Sequence, residues 1–155
     1  MKHVLFMAFC ILTFIMGGSL STHAFSPKEL PISQSSDRWK VIIGKADAND
    51  SNVLKSKDGV FNVYSVNVKN IGKKVCDATV EIFRDEPNAL TRYWLISGEI
   101  PKTQDFYHHA NQPISSQAKM IEVVVTWREK PYEMTKDGQK YPARKFKQTF
   151  VFKQE

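Results

Sequence analysis

The chain has 155 residues, 42% hydrophobic and 25% charged, a size and balance that exclude a disordered tail and suit one globular domain. Its 22 Lys and Arg against 16 Asp and Glu leave a formal net charge of +6, which favours anionic partners such as wall polymers, lipid headgroups or acidic proteins. Cys10 and Cys76 are its two cysteines, too few for a disulfide framework.

Lys2 opens a short basic tip, and residues 4–16 form an apolar run interrupted by Thr13. Gly17, Gly18 and Ser19 break the run, and Thr22-His23-Ala24 closes it. This layout predicts a signal peptide over residues 1–24, cleaved after Ala24. The run is shorter than the roughly 20 apolar residues of a membrane span. Membrane contact is expected only if the leader stays uncleaved as an anchor. On either reading the rest of the chain lies outside the cytoplasm, secreted or at the cell surface. Cleavage removes Lys2 and Cys10, leaving a charge of +5 and Cys76 as the lone thiol. Such a chain must hold together by packing. One of this size buries roughly two-thirds of its unfolded surface.

Residues 25–37, with Pro27, Pro31 and three serines between 33 and 36, predict an extended and loosely held lead-in. The domain proper is expected over 38–155. Residues 38–45 alternate, with Trp39, Val41 and Ile43 on one side, and predict a first strand. A polar loop follows over 47–57. Residues 59–69 predict a strand with Val60, Tyr64, Val66 and Val68 facing one way. The turn at 70–74 is expected to use Gly72 at positive φ. Residues 75–83 predict a strand that buries Cys76, Ala78, Val80 and Ile82 together. A turn around Pro87 leads to a strand over 89–100, rich in branched and aromatic residues. Residues 101–113 predict a long loop. The run Ile121-Glu122-Val123-Val124-Val125-Thr126-Trp127 is the strongest strand signal in the chain. After a break at Asp137-Gly138, residues 144–153 predict a last strand with Phe146, Phe150 and Phe152 on one face.

No segment sustains helical periodicity. About seven short strands separated by turn signals predict an all-β, antiparallel β-sandwich. Each strand then buries one face against the opposing sheet while the other meets water.

The run Val66-Asn67-Val68-Lys69-Asn70-Ile71-Gly72 precedes Val75-Cys76-Asp77-Ala78-Thr79-Val80-Glu81-Ile82. Together they resemble a hairpin common in bacterial immunoglobulin-like domains. Ser115-Ser116 before a Val-rich strand ending in Trp127 is similar to the far half of such domains. The resemblance spans residues 38–153 and implies an immunoglobulin-like sandwich. It carries no ligand or active site, and the Cys…Trp…Cys framework of antibody domains is absent.

Chemistry-bearing residues are few. His108 and His109 sit beside Phe106 and Tyr107, and adjacent side chains point apart, so they do not supply the converging ligands a metal needs. An aromatic cluster of this kind suits a partner contact. Asp47, Asn49 and Ser51 alternate as calcium ligands do, but Asn52 replaces the glycine and Asp58 the bidentate glutamate of a calcium loop. Lys45, Lys55 and Lys57 would repel the ion, so a turn-rich loop is expected. Asn49-Asp50-Ser51 matches a glycosylation sequon, which matters only in a eukaryotic host. Ser97, His108 or His109, and Asp105 lack the glycine pattern of a nucleophile elbow. Asp85 and Glu86 flank a proline turn without the apolar surroundings that raise a carboxyl pKa. No enzyme activity, metal or cofactor is expected.

The basic excess is concentrated late, at Arg128, Lys130, Lys136, Lys140, Arg144, Lys145, Lys147 and Lys153. Export and the lack of an aromatic–basic recognition motif argue against nucleic acid. The chain is therefore expected to be a secreted or cell-surface binding module. It would contact an anionic wall component or a protein partner through Phe106, Tyr107, His108 and His109 or through Arg144, Lys145 and Lys147. The competing expectations are an assembly protein using an exposed edge strand and, less favoured, a secreted hydrolase.

Overall fold

The computed structural model describes residues 25–47 and 54–153. The leader, most of the calcium-like loop and the sequon lie outside the described residues. Ten strands run in the order β1 (Ile32–Ser35), β2 (Trp39–Lys45), β3 (Phe61–Asn70), β4 (Asp77–Asp85), β5 (Arg92–Ile100), β6 (Phe106–Ser115), β7 (Met120–Arg128), β8 (Tyr132–Met134), β9 (Lys140–Pro142) and β10 (Phe146–Lys153). Two four-stranded antiparallel sheets, β1-β2-β3-β6 and β10-β7-β4-β5, face each other, and β8 and β9 pair apart from them. The protein is all-β, and the sandwich expectation holds.

Alternation decides which side of each strand goes inward. Trp39, Val41 and Ile43 of β2 and Tyr64, Val66 and Val68 of β3 meet Ala78, Val80 and Ile82 of β4 and Ile121, Val123, Val125 and Trp127 of β7 in one buried cluster. Phe150 and Phe152 of β10 and Ile114 of β6 complete it. Full burial of one such side chain contributes about 2 kcal/mol. Trp39 and Trp127 meet edge to face across the sheets at 5.7 Å, and Phe146 stacks on Trp127 at 5.7 Å.

Several expectations are corrected. Strands β3 and β4 do not form a hairpin. They lie in opposite sheets, so residues 71–76 arch over the end of the core. Two strands that each bury alternate residues look the same in sequence whether they pair or face each other. Gly72 has no positive φ there. Its Cα hydrogens face Arg38 instead, where a Cβ would come within 3.1 Å of Arg38 Cα and Asp37 O. Close backbone approach, not turn handedness, is what that glycine serves. Cys76 precedes β4 and is half-buried, with its N–H donating to Arg128 O. Val60 is exposed.

The lead-in at 25–37 is not loosely held. Ile32–Ser35 forms β1 against β2, and Phe25 is 1% exposed. Phe25 N–H donates to Ala118 O. The Tyr64 hydroxyl donates to Phe25 O at 2.8 Å, and the two rings meet edge to face at 5.6 Å. Prolines and serines disguise a segment whose single large apolar residue fills the open end of the core. Burial raises the Tyr64 phenol above its ordinary pKa, against a smaller lowering by a hydrogen bond with Asn62.

Tyr64→Phe removes the hydroxyl that satisfies a buried carbonyl, and a loss of about 1–2 kcal/mol is expected in urea unfolding. Because the folded phenol ionises at higher pH than the unfolded one, its contribution is complete below about pH 10 and is lost as pH rises through the folded value. The wild type should therefore lose stability in alkali more steeply than the variant.

Candidate functional site

Two features stand out at opposite ends of the sandwich. One end collects the chain reversals at 71–76, 101–105 and 129–145. There Arg38 is the fixed point. Its guanidinium donates to Lys73 O at 2.9 Å, pairs with Glu129, and lies over Trp127 at 5.7 Å. Arg128 pairs with Asp77 at 2.7 Å and donates to Ala143 O at 3.1 Å, so both legs of the β8–β9 hairpin are anchored.

The hairpin turns at Gly138, whose φ is 79°. Its segment was legible only as a break, because its two strands have three residues each. Tyr132, Met134 and Tyr141 are exposed on it. Lys140 Nζ sits 4.7 Å from the Tyr132 ring centroid, and Arg144 lies 5.5 Å from that of Phe146. The Tyr141 hydroxyl donates to Glu133, which also pairs with Lys130 at 3.4 Å. Arg144, Lys145 and Lys147 are all exposed at the start of β10.

Phe106, Tyr107, His108 and His109 lie on a strand and not in a loop. Phe106–Ser115 is β6, paired with β3. The His-His pair, Asn111, Gln112 and Pro113 obscure its strand character, which an edge position tolerates. His108 points outward. Its Nδ1 is 2.7 Å from Asn67 Oδ1, and its Nε2 lies 3.9 Å from Asp47. Tyr107 points inward over Gly98 of β5, where an added Cβ would meet the ring at 2.1 Å. Burial raises the Tyr107 phenol pKa. Strand β6 and strand β10 lie on opposite flanks, so the two groups of candidate residues share one end of the molecule but not one surface. Ser97 stands on β5 in the other sheet from both histidines. Among the described residues no three His, Cys, Asp or Glu side chains converge as metal ligands would.

The other end opens as a groove that the chain order conceals. Both edge strands carry a register break, between Tyr64 and Val66 where β3 meets β6 and between Ile82 and Phe83 where β4 meets β5. Bulges increase local twist. On one side of them Tyr107 closes the sandwich over Gly98. On the other the edges part into an open groove of about 530 Å³. Arg84, Tyr93, Trp94, Leu95, Gln112 and Pro113 are among its walls. Trp94 is 53% exposed and Tyr93 54%. The sequence signal for this site was the run Arg92-Tyr93-Trp94, polar and aromatic where a core strand would alternate.

Beside the groove, on the outer face of its sheet, Glu122 of β7 is 1% exposed and pairs with Arg92. Its Oε2 has no hydrogen-bond partner. Trp94, Phe83, Glu122 and Val151 form one row across the four strands.

These features define a class: a small β-sandwich with no disulfide among the described residues, built to present surfaces at its two ends. The chain belongs to the YozF-like secreted proteins, whose family model matches residues 23–155. It is similar to the protein named Uncharacterized protein YozF in Bacillus subtilis (strain 168), with 31% identity over 170 residues covering 98% of this chain and 96% of that one. No solved structure matches it. Membership agrees with the leader-like N-terminus, and the protein is secreted.

Arg92→Leu should cost about 2 kcal/mol in urea unfolding, because it leaves the Glu122 carboxylate buried without its cation while losing a half-exposed partner. Adding Glu122→Leu should recover most of the loss. Gly98→Ala should displace the Tyr107 ring, and the phenol, no longer buried, should titrate nearer its ordinary pKa in an ultraviolet pH titration.

Proposed function

We propose that the protein is a non-enzymatic binding module of the cell surface that engages an anionic wall polymer through the basic end of its sandwich. The observation that carries this reading is the β8–β9 hairpin and the strand after it. Residues 130–147 hold Lys130, Lys136, Lys140, Arg144, Lys145 and Lys147 against Glu133 and Asp137. All six cations are exposed. A projecting ribbon can lie along a polymer and place several cations on it at once. Exposed Tyr132, Met134 and Tyr141 supply contact area at low entropy cost. Arg38 and Arg128 fix the base of the ribbon, which lowers the ordering cost of binding.

The strand order supports an immunoglobulin-like arrangement. Setting aside β1, β8 and β9, the sheets are β2-β3-β6 and β10-β7-β4-β5. Lettered A to G in chain order they are ABE and GFCD, which differs from the antibody constant type in the sheet that strand D joins. The hairpin then extends the F–G connection, one of the loops such domains use for recognition.

Co-sedimentation with purified Gram-positive cell walls tests the reading. Wild-type protein should bind at low salt and weaken about tenfold or more as salt rises, since exposed charges are screened. The triple variant Arg144→Glu, Lys145→Glu, Lys147→Glu should lose that salt-sensitive binding while unfolding at an unchanged urea midpoint. Equal binding by wild type and variant at low salt would refute the electrostatic reading.

A further inference from the structure

The groove at the far end does not share the chemistry of the basic hairpin. Its one cation, Arg84, is already engaged: it pairs with Glu86 at 2.9 Å and lies 4.7 Å from the Tyr93 ring centroid. The Arg84 side chain is 14% exposed. A ligand here meets no free charge, so a neutral one suits it. Tyr93 and Trp94 line the groove with half-exposed rings. Flat aromatic faces contribute large contact area to a ligand with an apolar face. Val60, Leu95 and Pro113 add an apolar wall.

Gln112 is the decisive polar group. It is 4% exposed and lines the groove. Its Nε2 donates to Pro113 O at 3.1 Å, which fixes the amide. Its Oε1 has no partner among the described residues. A nearly buried acceptor without a donor is costly unless something supplies one. The groove therefore asks for a neutral ligand with a flat apolar face, an N–H or O–H donor and a small apolar appendage. Its volume falls within the range of about 300–1,000 Å³ typical of small-molecule sites, and both ends are open to a chain.

We propose that this groove binds an N-acetylated hexopyranose ring within a neutral glycan strand. The C–H face of the ring stacks on Trp94 and Tyr93. The acetamido N–H donates to Gln112 Oε1. The acetamido methyl lies against Val60, Leu95 and Pro113. The proposal does not rest on the basic end, and the two sites would let one domain touch an uncharged strand and an anionic polymer of the same wall.

The test is tryptophan emission of the secreted protein titrated with an oligomer of four β-1,4-linked N-acetylglucosamine residues. Trp39 and Trp127 are buried, so a change in acrylamide quenching reports Trp94. A saturable blue shift with protection from quenching is expected, at least about fivefold tighter than for the matching glucose oligomer and insensitive to salt. Trp94→Ala should abolish the signal. Tyr93→Ala and Gln112→Leu should weaken binding, followed by calorimetry, with Tyr93→Ala guarding against a folding defect at the buried Gln112. The charge-reversed variant of residues 144, 145 and 147 should bind the oligomer normally, so failure of one site is distinguishable from failure of the other. No shift, or equal affinity for both oligomers, would overturn the proposal. So would Trp94 protection that grows with protein concentration without sugar, which would mark a second copy of the chain as the occupant.

Discussion

The contact between Trp39 and Trp127 joins the two sheets, and much of the molecule is arranged around it. Trp39 comes from β2 in one sheet and Trp127 from β7 in the other. The domain has no disulfide to hold the sheets together, and Cys76 is a free thiol. Apolar burial must supply that tie, and the tryptophans contribute the largest areas to it. Arg38 lies over Trp127, and Phe146 stacks on it. The arch at 71–76 and the entry to β10 thus sit where the ring pair places them. The basic hairpin leaves the fold from that same rigid end.

The sides of the sandwich are closed by different means. On the flank where β1 meets β10, side chains bridge the edges, with Gln34 donating to Val151 O and Ser36 to Gln148. On the other flank, Tyr107 closes the gap over Gly98 for half its length. Beyond the two bulges nothing equivalent spans the edges, and the groove opens. Edge strands usually threaten aggregation. Here bulges and bridging side chains break the edges, and the unclosed part is left for recognition. The molecule thus keeps a charged surface at one end and an uncharged one at the other, with a rigid core between.

The strands that carry core residues were legible. Those over 39–45, 61–70, 77–85, 120–128 and 146–153 alternate apolar and polar residues because one face of each is buried. Strand β6 was not legible. An edge strand buries less, so Phe106-Tyr107-His108-His109 and the proline further on lack the alternation that marks a strand. The tie at Phe25 was hidden for a related reason. One ring among prolines and serines makes no pattern, yet it fills the open end of the core. The short strands β8 and β9 hold too few residues for a period to show. The candidate groove left a fainter trace, in an aromatic run at 92–94 that fits no clean alternation.

The sequence by itself determined the compartment, the fold class and which faces of the main strands are buried. These follow from local hydrophobic order and from charge, which the chain states residue by residue. Only the tertiary structure decided which strands pair and which face each other across the core. Val66 to Ile82 reads as a hairpin and folds as an arch, because paired strands and opposed strands bury the same alternate positions. It also decided that Phe106–His109 and Arg144–Lys147 lie on different flanks, and that Gln112 meets Tyr93 and Trp94 at one groove. Those neighbours are set by strand order and by two bulges, which arise from packing between segments distant in the chain.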